Sequence, residues 1–159
     1  MSKKLSFAVQ SYIREHAREV VDLICTISSI PSPTGRTEKK AAWVLQYLKN
    51  LGIQNAYIDE VGNVIYPHEL SKTEKFPLYN AHIDTVFNQL DTITPRIDGN
   101  ILAAPSCGDN SASVAGLLFL IKMIRDLHIT LPAGILFAFN VGEEGLGNLS
   151  GIRHIMTQW

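Results

Sequence analysis

Ile13, Ala17, Val20, Val21, Ile24 and Ile27 recur at three- and four-residue intervals, the spacing that lines one face of an α-helix, and predict a first amphipathic helix. Ser28-Ser29-Ile30-Pro31-Ser32-Pro33 ends it, because two prolines cannot continue a helical hydrogen-bond ladder. Thr34 to Thr37 offers capping side chains to a second helix that turns Ala41, Val44, Leu45 and Leu48 inward, with Gly52 at its C-terminal cap. From Ile53 the period shortens. Ile53 to Ile58 and Asn63 to Tyr66 flank the turn residues Asp59, Glu60 and Gly62 and predict a hairpin.

The polar run His68 to Lys75 reads as a surface loop, followed by a strand from Pro77 to Ile83 whose end carries His82, Ile83 and Asp84. Asp98-Gly99 marks a second hairpin. Ser111 to Leu127 is rich in small and apolar residues and predicts a helix, whereas Ala133 to Val141 is the nearly unbroken apolar run of a strand buried on both faces. Gly142-Glu143-Glu144-Gly145 follows directly, and Ser150 is placed to cap a last helix from Gly151 to Trp159. Helices alternating with buried strands imply an α/β fold: a mixed, largely parallel sheet covered by helices on both faces. Residues 1–159 show no internal repeat or linker and read as one unit.

Composition adds mainly exclusions. The chain is 46% apolar and 18% charged, and 14 lysines and arginines nearly balance 15 aspartates and glutamates, so no global field draws it to nucleic acid or an anionic membrane. Met1 to Gln10 carries Lys3 and Lys4 but only a broken apolar stretch, too short for a signal-peptide core. Val114 to Ile121 and Ala133 to Phe139 are too short to cross a bilayer and read as core. Cys25 and Cys107 form neither a disulfide framework nor a paired zinc motif, so a cytoplasmic protein is expected.

The titratable residues collect at the predicted strand ends, where ligands bind in sheets of this class. His82 and Asp84 leave one strand, Asp109 precedes a helix, and Glu143 with Glu144 leave another strand. Alone, each has an ordinary explanation: a surface pair, a helix cap, a solvated face. Together they aim four carboxylates and one imidazole at one region, a repulsion that a pair of divalent cations would relieve. The nitrogen and oxygen donors suit zinc, with cobalt or manganese as substitutes.

Ala81-His82-Ile83-Asp84-Thr85-Val86, Cys107-Gly108-Asp109-Asn110 and Gly142-Glu143-Glu144-Gly145 resemble, in order and spacing, the active-site segments of the dizinc metallopeptidase family of aminoacylase, peptidase T, carboxypeptidase G and succinyl-diaminopimelate desuccinylase. Ile30-Pro31-Ser32-Pro33-Thr34-Gly35, Leu51-Gly52 and Asp59-Glu60-Val61-Gly62-Asn63-Val64 extend the resemblance over nearly the whole chain. The resemblance implies the catalytic domain of a zinc exopeptidase, cleaving peptide or N-acyl amide bonds through a water bridging two zinc ions. It implies that His82 binds one metal, Glu144 the other, and Asp109 bridges them. Asp84 would orient His82, and Glu143 would be the general base. A cis peptide after Asp109 is implied as well.

Ala104 and Ser106 stand where family members often have glycines, and Asn110-Ser111 replaces commoner residues, departures that bear on substrate class. By the resemblance, the chain is the first part of a family member, lacking a further acidic ligand, a late histidine and an inserted lid and dimerisation domain. Weak or absent catalysis by residues 1–159 alone is therefore expected, with a small peptide or N-acyl amino acid as substrate and a homodimer for a full-length form. The alternative is a catalytically dead remnant acting as a metal-binding or interaction module. Another two-metal aminopeptidase family shares the His-x-Asp and Glu-Glu elements, but Thr85-Val86 and the two-helix opening argue against it. His16, His68, His128 and His154 read as structural, and Cys107 as a buried small residue with no histidine to activate it.

Overall fold

All six residues of Ile135–Asn140, strand β6, are buried, so the strand is covered on both faces. A computed structural model describes residues 5–159; Lys3 and Lys4, on which part of the leader reading rests, lie outside the described residues. Strands β1 (Tyr57–Ile58), β2 (Val64–His68) and β3 (Leu78–His82) join β6 in a four-stranded sheet of order β1-β2-β6-β3. Strands β4 (Arg96–Asp98) and β5 (Ile101–Ala103) form the separate hairpin marked by Asp98-Gly99.

The sheet is mixed, but parallel pairing is confined to β3 with β6, while β1–β2 and β2–β6 are antiparallel. The expectation of a largely parallel sheet thus narrows among the described residues to one pair. A tight turn at Asp59 to Asn63 can connect only antiparallel neighbours, whereas β3 reaches β6 through helix α4 (Ala112–Asp126), the crossover a parallel pair requires.

Side chains alternate along the strands and build two cores. Val64, Phe137 and Phe139 face helices α2 (Ala17–Ser29), α3 (Glu38–Asn50) and α4; Ile65, Leu136 and Ala138 face helix α5 (Ser150–Gln158) through Ile155. Cys107–Asp126 is a 20-residue helical run apolar enough by composition to cross a membrane, yet Val114, Leu118 and Ile121 on it are buried in the first core.

The single opening helix is instead two, α1 (Phe7–Glu15) and α2, broken at His16 (φ −107°, ψ 10°). Its apolar residues serve two surfaces: Tyr12 packs with Phe119 and Met123 on α4, while Leu23 and Ile27 enter the main core. Ser150 is the first residue of α5 rather than its cap; Leu149, in the left-handed region, precedes it.

Among the described residues one lysine lies inside. Lys40 on α3 is 2% exposed, and burial pushes its ammonium down to about 8 although the Asp84 charge opposes the shift. Between about 8 and the ordinary 10.5 the unfolded chain then binds more protons than the folded one, so stability rises with pH in that window. In urea denaturation this contribution should appear as the difference in pH slope between the unsubstituted chain and Lys40→Met. Phe137→Ala, which empties a site in the central strand, should cost about 3–5 kcal/mol by the same measurement.

Candidate metal centre

The parallel pair places the chemistry. In the β3–β6 register His82 lies opposite Asn140, and Ile83 N–H donates to the Asn140 carbonyl at 2.9 Å, so both strands finish together and their following loops leave the same sheet edge. Asp84 is two residues beyond His82, and Glu143 three beyond Asn140. Sequence neighbours of two distant strands become spatial neighbours.

Asp84 joins the loops. Its side chain has no solvent exposure; Oδ1 accepts the Glu143 N–H at 3.1 Å, and Oδ2 accepts the Glu144 N–H at 3.1 Å and the Thr34 hydroxyl at 2.9 Å. Burial alone would raise its pKa, but His82, the two N–H groups and Thr34 outweigh burial and hold the carboxyl below its ordinary value. Thr34 is held in turn by its N–H donating to the Thr85 carbonyl. Its part in the site is not evident from sequence, because it acts 50 positions from its partner.

His82 is buried and donates from Nδ1 to the main-chain carbonyl of Asp84 at 3.1 Å, with the Asp84 Oδ1 at 3.6 Å. The orienting partner is thus first the Asp84 carbonyl and only then its carboxylate. A carbonyl can only accept, so Nδ1 carries the proton and, in the neutral ring, Nε2 presents its lone pair outward. Nε2 lies 3.0 Å from Asp109 Oδ1 and 3.8 Å from Glu143 Oε2. Burial disfavours the imidazolium, yet the carboxylates of Asp84 and Asp109 prevail and raise its pKa to about 9. Desolvation, followed by the charge of Asp109, raises the Glu144 pKa. Protons thus accumulate where cations would.

Donor atoms of His82, Glu143 and Glu144 all lie within 4.8 Å of one another, a grouping of ligand types able to hold a metal. Asp109 touches His82 but stands outside this mutually close set, with its side chain 78% exposed. It sits in the wide turn Cys107–Ser111 that opens α4, and its bond to Asn110 is cis. The other histidines are elsewhere: His154 lies 3.4 Å from Glu60, His16 bonds to the Tyr12 carbonyl and stacks on its ring, and His68 meets the Tyr66 hydroxyl. His128 follows α4 in the left-handed region. Cys107 is half-buried, its thiol turned to the Leu102 carbonyl.

Residues 78–159 match the model of Peptidase family M20/M25/M40. A Bacillus subtilis N-formyl-4-amino-5-aminomethyl-2-methylpyrimidine deformylase is 27% identical over 157 residues, covering 87% of this chain and 36% of that one. A putative LysW-lysine/LysW-ornithine hydrolase of Pyrococcus abyssi is 32% identical over 127 residues, covering 80% and 34%. The chain spans about a third of the length of these curated relatives. Among solved structures, the dipeptidase Dug1p of Saccharomyces cerevisiae superposes with a TM-score of 0.72 at 14% identity over 87% of this chain and 35% of that one. Aminopeptidase PepT of Bacillus cereus gives 0.67 at 20% identity, covering 80% and 37%. These two establish the shared fold, and with the family model covering more than half of its residues the chain belongs to Peptidase family M20/M25/M40.

Proposed function

We propose that residues 1–159 form the N-terminal portion of the catalytic domain of a dizinc hydrolase acting on peptide or N-acyl amide bonds. One observation carries the reading: the buried Asp84 carboxylate ties the Glu143-Glu144 backbone beside His82, so that donor atoms of three side chains converge within 4.8 Å. The donor chemistry fits zinc, since it combines one imidazole nitrogen with carboxylate oxygens and no thiolate.

In this reading His82 and Glu144 would each hold a metal ion, and the Asp109 carboxylate would be a ligand shared by both. Zinc, when bound, polarises the scissile carbonyl and makes a water acidic enough to attack it near neutral pH. Glu143 accepts the proton that water loses and delivers it to the nitrogen of the breaking C–N bond, so the products are a carboxylate and an amine. Asp84 keeps Glu143 and Glu144 in place through their N–H groups. In a full-length protein the remaining ligands and a lid and dimerisation domain belong to the rest of the molecule. One relative is named a deformylase of an N-formyl compound and the other a putative hydrolase of LysW-lysine or LysW-ornithine, and peptides or N-acyl amino acids fit the same hydrolytic chemistry.

Calorimetric titration of the chain with zinc should give binding that weakens at least about tenfold in His82→Ala and Glu144→Ala. Because a cation must displace the His82 proton, affinity should keep rising as pH climbs to about 9, instead of levelling near the ordinary 6.5. In a full-length form, Glu143→Gln should slow hydrolysis of dipeptides and N-acyl amino acids by about 10²–10⁴ while zinc content is retained. Zinc-free protein that hydrolyses these substrates at full rate would sink the proposal.

A further inference from the structure

Asn63 is 0% exposed, and every polar atom of its side chain is engaged. Its Oδ1 accepts the Val141 N–H at 3.0 Å; its Nδ2 donates to the Gly151 carbonyl at 3.1 Å and to Asp59 Oδ2 at 2.7 Å. The Val141 carbonyl accepts the Gly151 N–H at 3.0 Å, closing a ring of three hydrogen bonds among Asn63, Val141 and Gly151. Partners fix the orientation of the amide, since Val141 offers only a donor while Asp59 and Gly151 offer only acceptors. Asp59 in turn locks the turn by accepting the N–H groups of Val61, Gly62 and Asn63 at Oδ1.

Those contacts bracket the glutamates. Val141 is two residues before Glu143, and Gly151 lies in the first turn of α5, the helix that receives the chain after Glu144. Between them the loop folds tightly on itself: Gly147 N–H donates to the Glu144 carbonyl at 2.9 Å, and a Cβ on Gly147 would lie 2.6 Å from the backbone of Gly142. A Cβ on Gly151 would collide with Asn63 Oδ1 and the Val141 backbone, so this position admits only glycine while Asn63 keeps its place.

We infer that Asn63 is a positioning residue for Glu143 and Glu144: its buried amide clamps both ends of their loop, and Asp84 holds the middle. The inference rests on the metal-site reading above. It goes beyond that reading because Asn63 touches neither a donor atom nor the reacting centre and acts through the backbone of Val141 and Gly151. An alanine leaves the buried Val141 N–H without a partner and removes a donor from the Gly151 carbonyl and from Asp59, whereas an aspartate keeps the Val141 bond and turns lone pairs on Asp59 and Gly151.

Amide hydrogen exchange of the metal-free chain and titration with Co²⁺ followed by visible absorption test this together. Leu48→Ala, a core deletion on α3 that removes none of the ring's hydrogen bonds, serves as the stability control. Asn63→Ala and Asn63→Asp are run side by side so that unfolding of one leaves the other. Relative to Leu48→Ala, the folded Asn63 variant should exchange the Glu143 and Glu144 amides about tenfold faster. It should also bind Co²⁺ about tenfold more weakly with altered absorption bands, which loss of global stability alone would not produce. Equal exchange at Glu143 and Glu144 in the Asn63 and Leu48 variants, or an unchanged Co²⁺ affinity and spectrum, would overturn the inference. If the unsubstituted chain takes up no Co²⁺, the metal reading fails by itself, and exchange at the two amides still decides the role of Asn63.

Discussion

A carboxylate with no solvent exposure is costly unless each oxygen is satisfied, and Asp84 meets that requirement with two backbone N–H groups and one hydroxyl. Those N–H groups are the ones belonging to Glu143 and Glu144. The interaction that stabilises a buried charge is therefore also the interaction that assembles the site. It links the end of β3 to the loop after β6 and, through Thr34, to the proline-rich connection before α3. Removing the Asp84 carboxylate would release the two glutamates, whereas the Asp84 main-chain carbonyl that receives His82 Nδ1 would stay.

Such an arrangement depends on strand register. Parallel pairing of β3 with β6 sets His82 opposite Asn140, and a shift by one residue would turn Asp84 away from the Glu143 N–H. Alternation along β6 fixes the register, because Phe137 and Phe139 must face one core and Leu136 and Ala138 the other. Asn63 secures the far side of the same loop. The glutamates thus approach His82 despite their mutual repulsion because the backbone, held at both ends and in the middle, leaves them nowhere else to go. The carboxylates of Asp84 and Asp109 raise the His82 pKa against its burial, while Glu144 is raised first by desolvation and then by the Asp109 charge.

Much of this was legible from the residues. The all-apolar run around Phe137 could only be a doubly covered strand, and Asp98-Gly99 could only be a tight turn between short strands. The convergence of His82, Glu143 and Glu144 followed from placing charged residues at strand ends of an α/β sheet. Other features depend on tertiary partners that no local pattern encodes. The break at His16 arises because Tyr12 docks on α4 while Ile27 enters the main core. Antiparallel pairing of β2 with β6 joins strands some 70 positions apart, as read from the Ile65–Ala138 pair. Thr34 and Asn63 are polar residues of loop and strand edge in the sequence, and only burial against Asp84 and Val141 reveals their work. Asp109 does reach His82, as its place before α4 suggested, but its exposure and its position outside the close set are not encoded in the local pattern.

The central claim is that the strand-end cluster is a zinc site built from imidazole nitrogen and carboxylate oxygen. Zinc K-edge X-ray absorption on the zinc-loaded chain tests it most directly. The spectrum should show an imidazole contribution of no more than one per zinc together with oxygen scatterers, all at about 2.0–2.2 Å, and the imidazole contribution should vanish in His82→Ala. Sulfur scattering at about 2.3 Å, or an oxygen-only shell unchanged by that substitution, would contradict it.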